Sequence, residues 1–91
     1  MKITGIRAAV KDYKEANAGG AYSPRYGYLM LDRNSGEIWT DEFYSLGHNN
    51  WKNYNDPAII NIEPYIDGKV TMQTVKETAL RLCEEWRKET K

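Results

Sequence analysis

Aromatic and aliphatic positions concentrate between Tyr26 and Tyr44, in the run YGYLMLDRNSGEIWTDEFY. Two stretches rich in aromatic and aliphatic residues flank Asp32-Arg33-Asn34-Ser35-Gly36-Glu37. Asn34 and Ser35 suit the right-handed positions of a turn, and Gly36 supplies the positive φ that ends a four-residue loop. The pattern predicts a β-hairpin in which Asp32 pairs with Glu37, Leu31 faces Ile38, Met30 faces Trp39, Tyr28 faces Asp41 and Tyr26 faces Phe43. One face of this ribbon then carries Met30, Trp39, Tyr28, Tyr26 and Phe43, and the other Leu29, Leu31, Ile38 and Thr40. Both faces are apolar enough to need cover, which a solvated two-stranded ribbon would not be.

The remaining segments are read against that hairpin. Lys2 to Val10 reads as a first strand, with Thr4, Ile6, Ala8 and Val10 on one side and Lys2, Arg7 and Lys11 toward solvent. Gly5 within it marks a bulge or a close approach by another backbone. Asp12 to Ala18 is either a short helix stopped by Gly19-Gly20 or a polar connection. Ser45 to Pro57 alternates amides with aromatics and has no period, which makes it a long loop. Ala58 to Ile62 reads as a short strand with apolar residues on both sides, suited to a central position.

The last segment predicts a helix. Thr71 is the expected N-cap, with Val70 and Val75 as a hydrophobic staple. Met72, Val75, Ala79, Leu82 and Trp86 form one apolar stripe that Cys83 widens. Glu77 with Arg81 and Glu84 with Lys88 are i, i+4 pairs for the wet side. The expected fold is α+β, a three- or four-stranded antiparallel sheet with one C-terminal α-helix packed on one face and Trp86 against the hairpin. All 91 residues are expected to form one domain.

Charge removes some function classes. Thirteen basic and thirteen acidic residues cancel, whereas a dedicated duplex-binding protein needs a basic face for phosphates. Cys83 has no second cysteine to pair with, which points to a reducing compartment. No run approaches the roughly 20 apolar residues of a membrane span, so a cytoplasmic protein without a membrane partner is expected. Seven Tyr and three Trp stand against a single Phe. Such side chains suit small cores and recognition surfaces alike.

Candidate catalytic chemistry is sparse. His48 is the sole histidine, and one histidine without a cysteine cluster does not furnish a nuclease-type metal set. Asp41 and Glu42 are adjacent, so on a strand they point to opposite faces. Gly19-Gly20 lacks the spacing of a phosphate loop, and Cys83 on the apolar stripe reads as a core residue. No cofactor or metal site is expected.

Binding constellations are richer. The first joins Trp51 and Tyr54 to Asn49, Asn50, Asn53 and Asn55, with His48 in the same loop as a further binding candidate, aromatic anchors among adaptable amides as in recognition loops. The same residues equally suit a loop that packs on itself. The second is Tyr22, Arg25, Tyr26 and Tyr28, where Arg beside Tyr suits a nucleobase, phosphate or carboxylate. A free sheet face or edge is the third, for strand pairing or a homo-oligomer.

The succession of hairpin, FYSLGHNNWKNYNDPAIINI (Phe43 to Ile62) and C-terminal helix resembles small accessory proteins of bacteriophages and conjugative elements over roughly the last two-thirds of the chain. That resemblance implies a mobile-element protein acting in the cytoplasm of a bacterial host. Some proteins of that class inhibit defence by docking on CRISPR nucleases or by sequestering signalling nucleotides. No functional residue transfers from it. The expected role is a small non-catalytic binding protein that docks on a host protein through the Gly47–Asp56 loop and the hairpin aromatics. Second stands a nucleotide sponge using Arg25, Tyr22 and Trp51 in an oligomer. Single-stranded nucleic-acid binding comes third, nucleic acid not being expected as the primary ligand.

Overall fold

The hairpin forms in the register that its Asp32–Glu37 turn predicts. The computed structural model describes residues 2–18, 27–42 and 55–90. Strand β1 (Gly27–Asp32) and strand β2 (Ile38–Glu42) pair antiparallel, with Leu31 opposite Ile38, Met30 opposite Trp39 and Tyr28 opposite Asp41. The turn closes through Asp32 N–H donating to the Glu37 carbonyl at 2.9 Å and Gly36 N–H to the Asp32 carbonyl at 2.8 Å. The Asp32 carboxylate accepts from Asn34 N–H at 2.9 Å. Gly36 has φ 81°. Both expectations for this turn, its length and its positive-φ glycine, hold. The predicted pairing of Tyr26 with Phe43 lies outside the described residues.

Strand β3 (Ile59–Asn61) pairs antiparallel with the other side of β1, so the sheet order is β2-β1-β3. The strand in Ala58–Ile62 therefore exists but forms an edge among the described residues, where β1 is the central strand. All three of its residues are only half-buried, and the apolar weight falls on the flanking Ala58 and Ile62, each fully buried.

The chain's beginning corrects the reading of Lys2–Val10 as a strand. Only Thr4 contributes a sheet-like contact, a parallel bridge to Glu37, and Ile6–Ala16 forms helix α1. Ala9 and Val10 are buried, Ile6 and Tyr13 pack on the core, and Ala8 is exposed. The operative spacing is thus 6, 9, 10, 13, one face of a helix, and alternation through Ala8 coincided with it at Ile6 and Val10. Gly5 marks a close backbone approach, as expected: a Cβ there would lie 2.6 Å from the Ile38 carbonyl oxygen. The Asp12–Ala18 segment is helical through Ala16, and α1 begins earlier than the turn-like composition suggests.

Helix α2 (Met72–Glu89) starts at the predicted cap. The Thr71 hydroxyl accepts from Thr74 N–H at 3.1 Å, and the Thr74 hydroxyl accepts from Thr71 N–H at 2.9 Å, a reciprocal capping box. Val75, Ala79, Leu82 and Cys83 are buried, but Met72 at the first turn is 48 % exposed and leaves the stripe. Lys88 and Glu84 pair at 3.6 Å. Glu77 instead accepts from Gln73 at 3.0 Å, and Arg81 turns away to the Tyr65 carbonyl at 3.3 Å.

Leu29, Leu31 and Ile38 from the sheet, Ala9 and Val10 from α1, Ile62, and Val75, Ala79, Leu82 and Cys83 from α2 make one cluster. Both helices therefore cover the same sheet face, giving the α+β fold a second helix beside the C-terminal one. On the reverse face Met30 and Trp39 are also nearly buried, so each side of the hairpin has found cover.

Candidate functional site

Two surface features stand out, and each follows from a helix. On α1, Arg7, Lys11 and Lys14 recur at four- and three-residue steps and are exposed. None of the three makes an ion pair among the described residues. Arg7 and Lys11 flank a shallow apolar depression floored by Gly5, Ile6 and Ala8. The first turn of α1 carries no acidic side chain and its N-cap, Gly5, offers no side-chain acceptor. Cations at that end meet the positive pole of the helix dipole unscreened, which raises the local potential further.

The second feature is a cleft of about 310 Å³ between α2 and the chain that leads into it. Its α2 wall is Thr74, Glu77, Thr78 and Arg81; Tyr65 and Asp67 form the opposite wall. Tyr65 ends a 3-10 turn (Glu63–Tyr65) in which Pro64 sits at the start, where its missing N–H costs nothing. That turn is held by Glu63. Its carboxylate accepts from Leu29 N–H at 3.2 Å and from the Tyr13 hydroxyl at 2.8 Å, so one side chain ties β1 and α1 to the turn.

The hairpin tip supplies a third junction, structural in character. The Arg33 guanidinium lies 4.1 Å from the centroid of the Trp86 ring. It also donates to the carbonyls of Ala58 and Pro57, and Trp86 Nε1–H donates to Asn34 Oδ1 at 2.8 Å. Trp86 does rest against the hairpin, as the stripe on α2 predicts.

Cys83 lies beneath this junction, 1 % exposed. Burial pushes its thiol above the ordinary range, and the Asp32 carboxylate adds to the effect. The folded protein therefore keeps the thiol proton at a pH where the unfolded chain releases it. Stability from this group is complete below the ordinary thiol pKa of about 8.5 and falls as pH rises above it. Melting temperatures measured from neutral to alkaline pH should drop less steeply for Cys83→Ala than for the parent. Equal slopes would show that the thiol is not the titrating group.

The sequence-predicted site residues His48, Asn49, Asn50, Trp51 and Tyr54, and likewise Tyr22, Arg25 and Tyr26, lie outside the described residues. Of the second constellation only Tyr28 is described, half-buried on β1. The α2 cleft was missed by sequence reasoning, although its 74, 77, 78, 81 spacing is legible as a polar stripe. Among the described residues no group of three His, Cys, Asp or Glu side chains is placed to hold a metal ion, and no helix is long and apolar enough to cross a membrane. Comparison with protein-family models, curated proteins and solved structures found no match.

Proposed function

We propose that the chain is a small non-catalytic binding protein that docks on an acidic surface of another protein. The observation that carries this reading is the α1 ridge: Arg7, Lys11 and Lys14 exposed, without ion-pair partners among the described residues, beside an apolar depression. A protein with no net charge draws no steering from its total charge, so attraction to a partner has to come from a local patch. Cations around an apolar floor combine steering with burial, the usual division between the rim and the centre of an interface. The resemblance to phage and conjugative-element proteins gives the role a biological form, a mobile-element inhibitor that engages a host defence protein.

The test is capture from bacterial cytosol on the immobilised full chain, compared with the variant Arg7→Glu/Lys11→Glu/Lys14→Glu. These positions are exposed, and such surface changes usually alter stability by no more than about 0.5 kcal/mol each. The expected result is an acidic protein retained by the parent at low salt, released by raised salt and not retained by the variant. Retention by both chains would remove the ridge from the interface. A single-stranded oligonucleotide bound by the parent with steep salt dependence, and no protein retained, would replace the reading with nucleic-acid binding.

A further inference from the structure

The cleft between α2 and Tyr65–Asp67 contains a hydrogen-bonding position that the described fold leaves unused. Thr78 is 8 % exposed and lines the cleft. A helical threonine ordinarily turns its hydroxyl back to the carbonyl one turn earlier. Here the Thr78 hydroxyl has no hydrogen-bond partner among the described residues. The oxygen is not sealed off from solvent, so its bond is supplied from the cleft that Thr78 lines, by water or by a ligand.

The charges around it are also unspent. Arg81 commits one N–H to the Tyr65 carbonyl at 3.3 Å, leaving the rest of its five-donor fork available. Glu77 takes a hydrogen bond from Gln73 but does not pair with Arg81, and Asp67 on the facing wall has no ion-pair partner among the described residues. One guanidinium and two carboxylates thus share a space of about 310 Å³, near the lower limit for small-molecule pockets. A nucleoside phosphate would meet both carboxylates, and a polyamine would meet the guanidinium. A ligand with both signs matches all three.

We infer that this cleft binds a free α-amino acid. Arg81 takes its carboxylate, with the Thr78 hydroxyl donating to the same group, and Asp67 and Glu77 take its ammonium. Tyr65, 49 % exposed, offers a ring face for the side chain. None of these residues belongs to the α1 ridge, so the site stands or falls separately from the docking surface.

The experiment is a calorimetric and thermal-shift titration of the full chain with the free amino acids, their N-acetyl derivatives and their carboxamides. At least one free amino acid should raise the melting temperature by a few degrees at saturation. Its two blocked derivatives, each missing one charge, should not. Thr78→Val keeps the side-chain shape and should weaken the dissociation constant by about five-fold, the value of one hydrogen bond. Arg81→Gln should weaken it by about ten-fold or more, since a charge-assisted bond is lost. The inference is overturned if no free amino acid shifts the melting temperature, if a blocked derivative binds as well as its parent, or if folded Thr78→Val binds like the unaltered protein.

Discussion

Replacing Leu31 by alanine is expected to lower the free energy of unfolding by about 3–4 kcal/mol. Leu31 sits on the central strand, opposite Ile38 on β2 and Ile60 on β3, and is fully buried within the cluster that both helices cover. The lost methyl groups take away their own burial, and the hole they leave is walled on three sides by elements that do not collapse together. A domain of this length has a total stability of roughly 5–13 kcal/mol, so the substitution consumes a large part of it. The melting temperature should fall by about 15 °C or more. Met72→Ala is the matched contrast. That side chain is 48 % exposed, and its truncation should change stability by about 0.5 kcal/mol or less. Denaturant melts of both variants decide the matter; a Leu31→Ala loss near 1 kcal/mol would mean that the core repacks.

The second large effect is expected at Gly5, where the chain leaves its bridge to β2 and enters α1. Thr4 N–H donates to the Gly36 carbonyl at 3.0 Å, Ile38 N–H donates to the Thr4 carbonyl at 2.9 Å, and at Ile6 the helix has begun. That reversal requires φ 79° at Gly5, a conformation that costs an L-residue about 1–2 kcal/mol. Alanine adds a Cβ at 2.6 Å from the Ile38 carbonyl oxygen, a contact relieved only by moving backbone. Together these should cost Gly5→Ala about 3 kcal/mol. The loss should have a local signature as well. The Ala9 amide, bonded to the Gly5 carbonyl at 3.0 Å, should exchange its hydrogen faster than amides in the middle of α2, measured at matched global stability. Unchanged protection at Ala9 would show that the entry to α1 tolerates a side chain.

How far the fold was legible depends on whether one period or two fitted each segment. The hairpin register was readable because side chains alternate strictly and the Asp32–Glu37 turn permits one closure. Helix α2 was readable because cap, staple and stripe agree. Around Ile6 and Val10 both periods fit, since a four-residue step is also two steps of two. Ala8, small and apolar, tipped the reading toward a strand, whereas Tyr13 on the same face as Val10 was the residue that could have corrected it. The central place given to Ala58–Ile62 rested on composition. Composition does not distinguish a residue buried by strands on both sides from one buried by a helix, as Ile62 is. The cleft was hidden for a similar reason. Thr74, Glu77, Thr78 and Arg81 look like any solvated helix side until the 3-10 turn brings Tyr65 opposite them, and that contact is non-local.

The strand order carries a consequence for the path of folding. Strand β1 meets β2 across a four-residue loop, a closure that takes microseconds. It meets β3 only after the chain has run on from Glu42 to Ile59. The hairpin is therefore positioned to form first and to wait with one side of β1 unpaired. Until β3 arrives, that open side is a template for any extended chain nearby. The joint made by Arg33, which grips the carbonyls of Pro57 and Ala58 from the hairpin tip, then acts as a latch on the last strand to dock. Its loss should lengthen the time the unfinished sheet spends exposed to other molecules, so it would show as concentration-dependent aggregation during refolding.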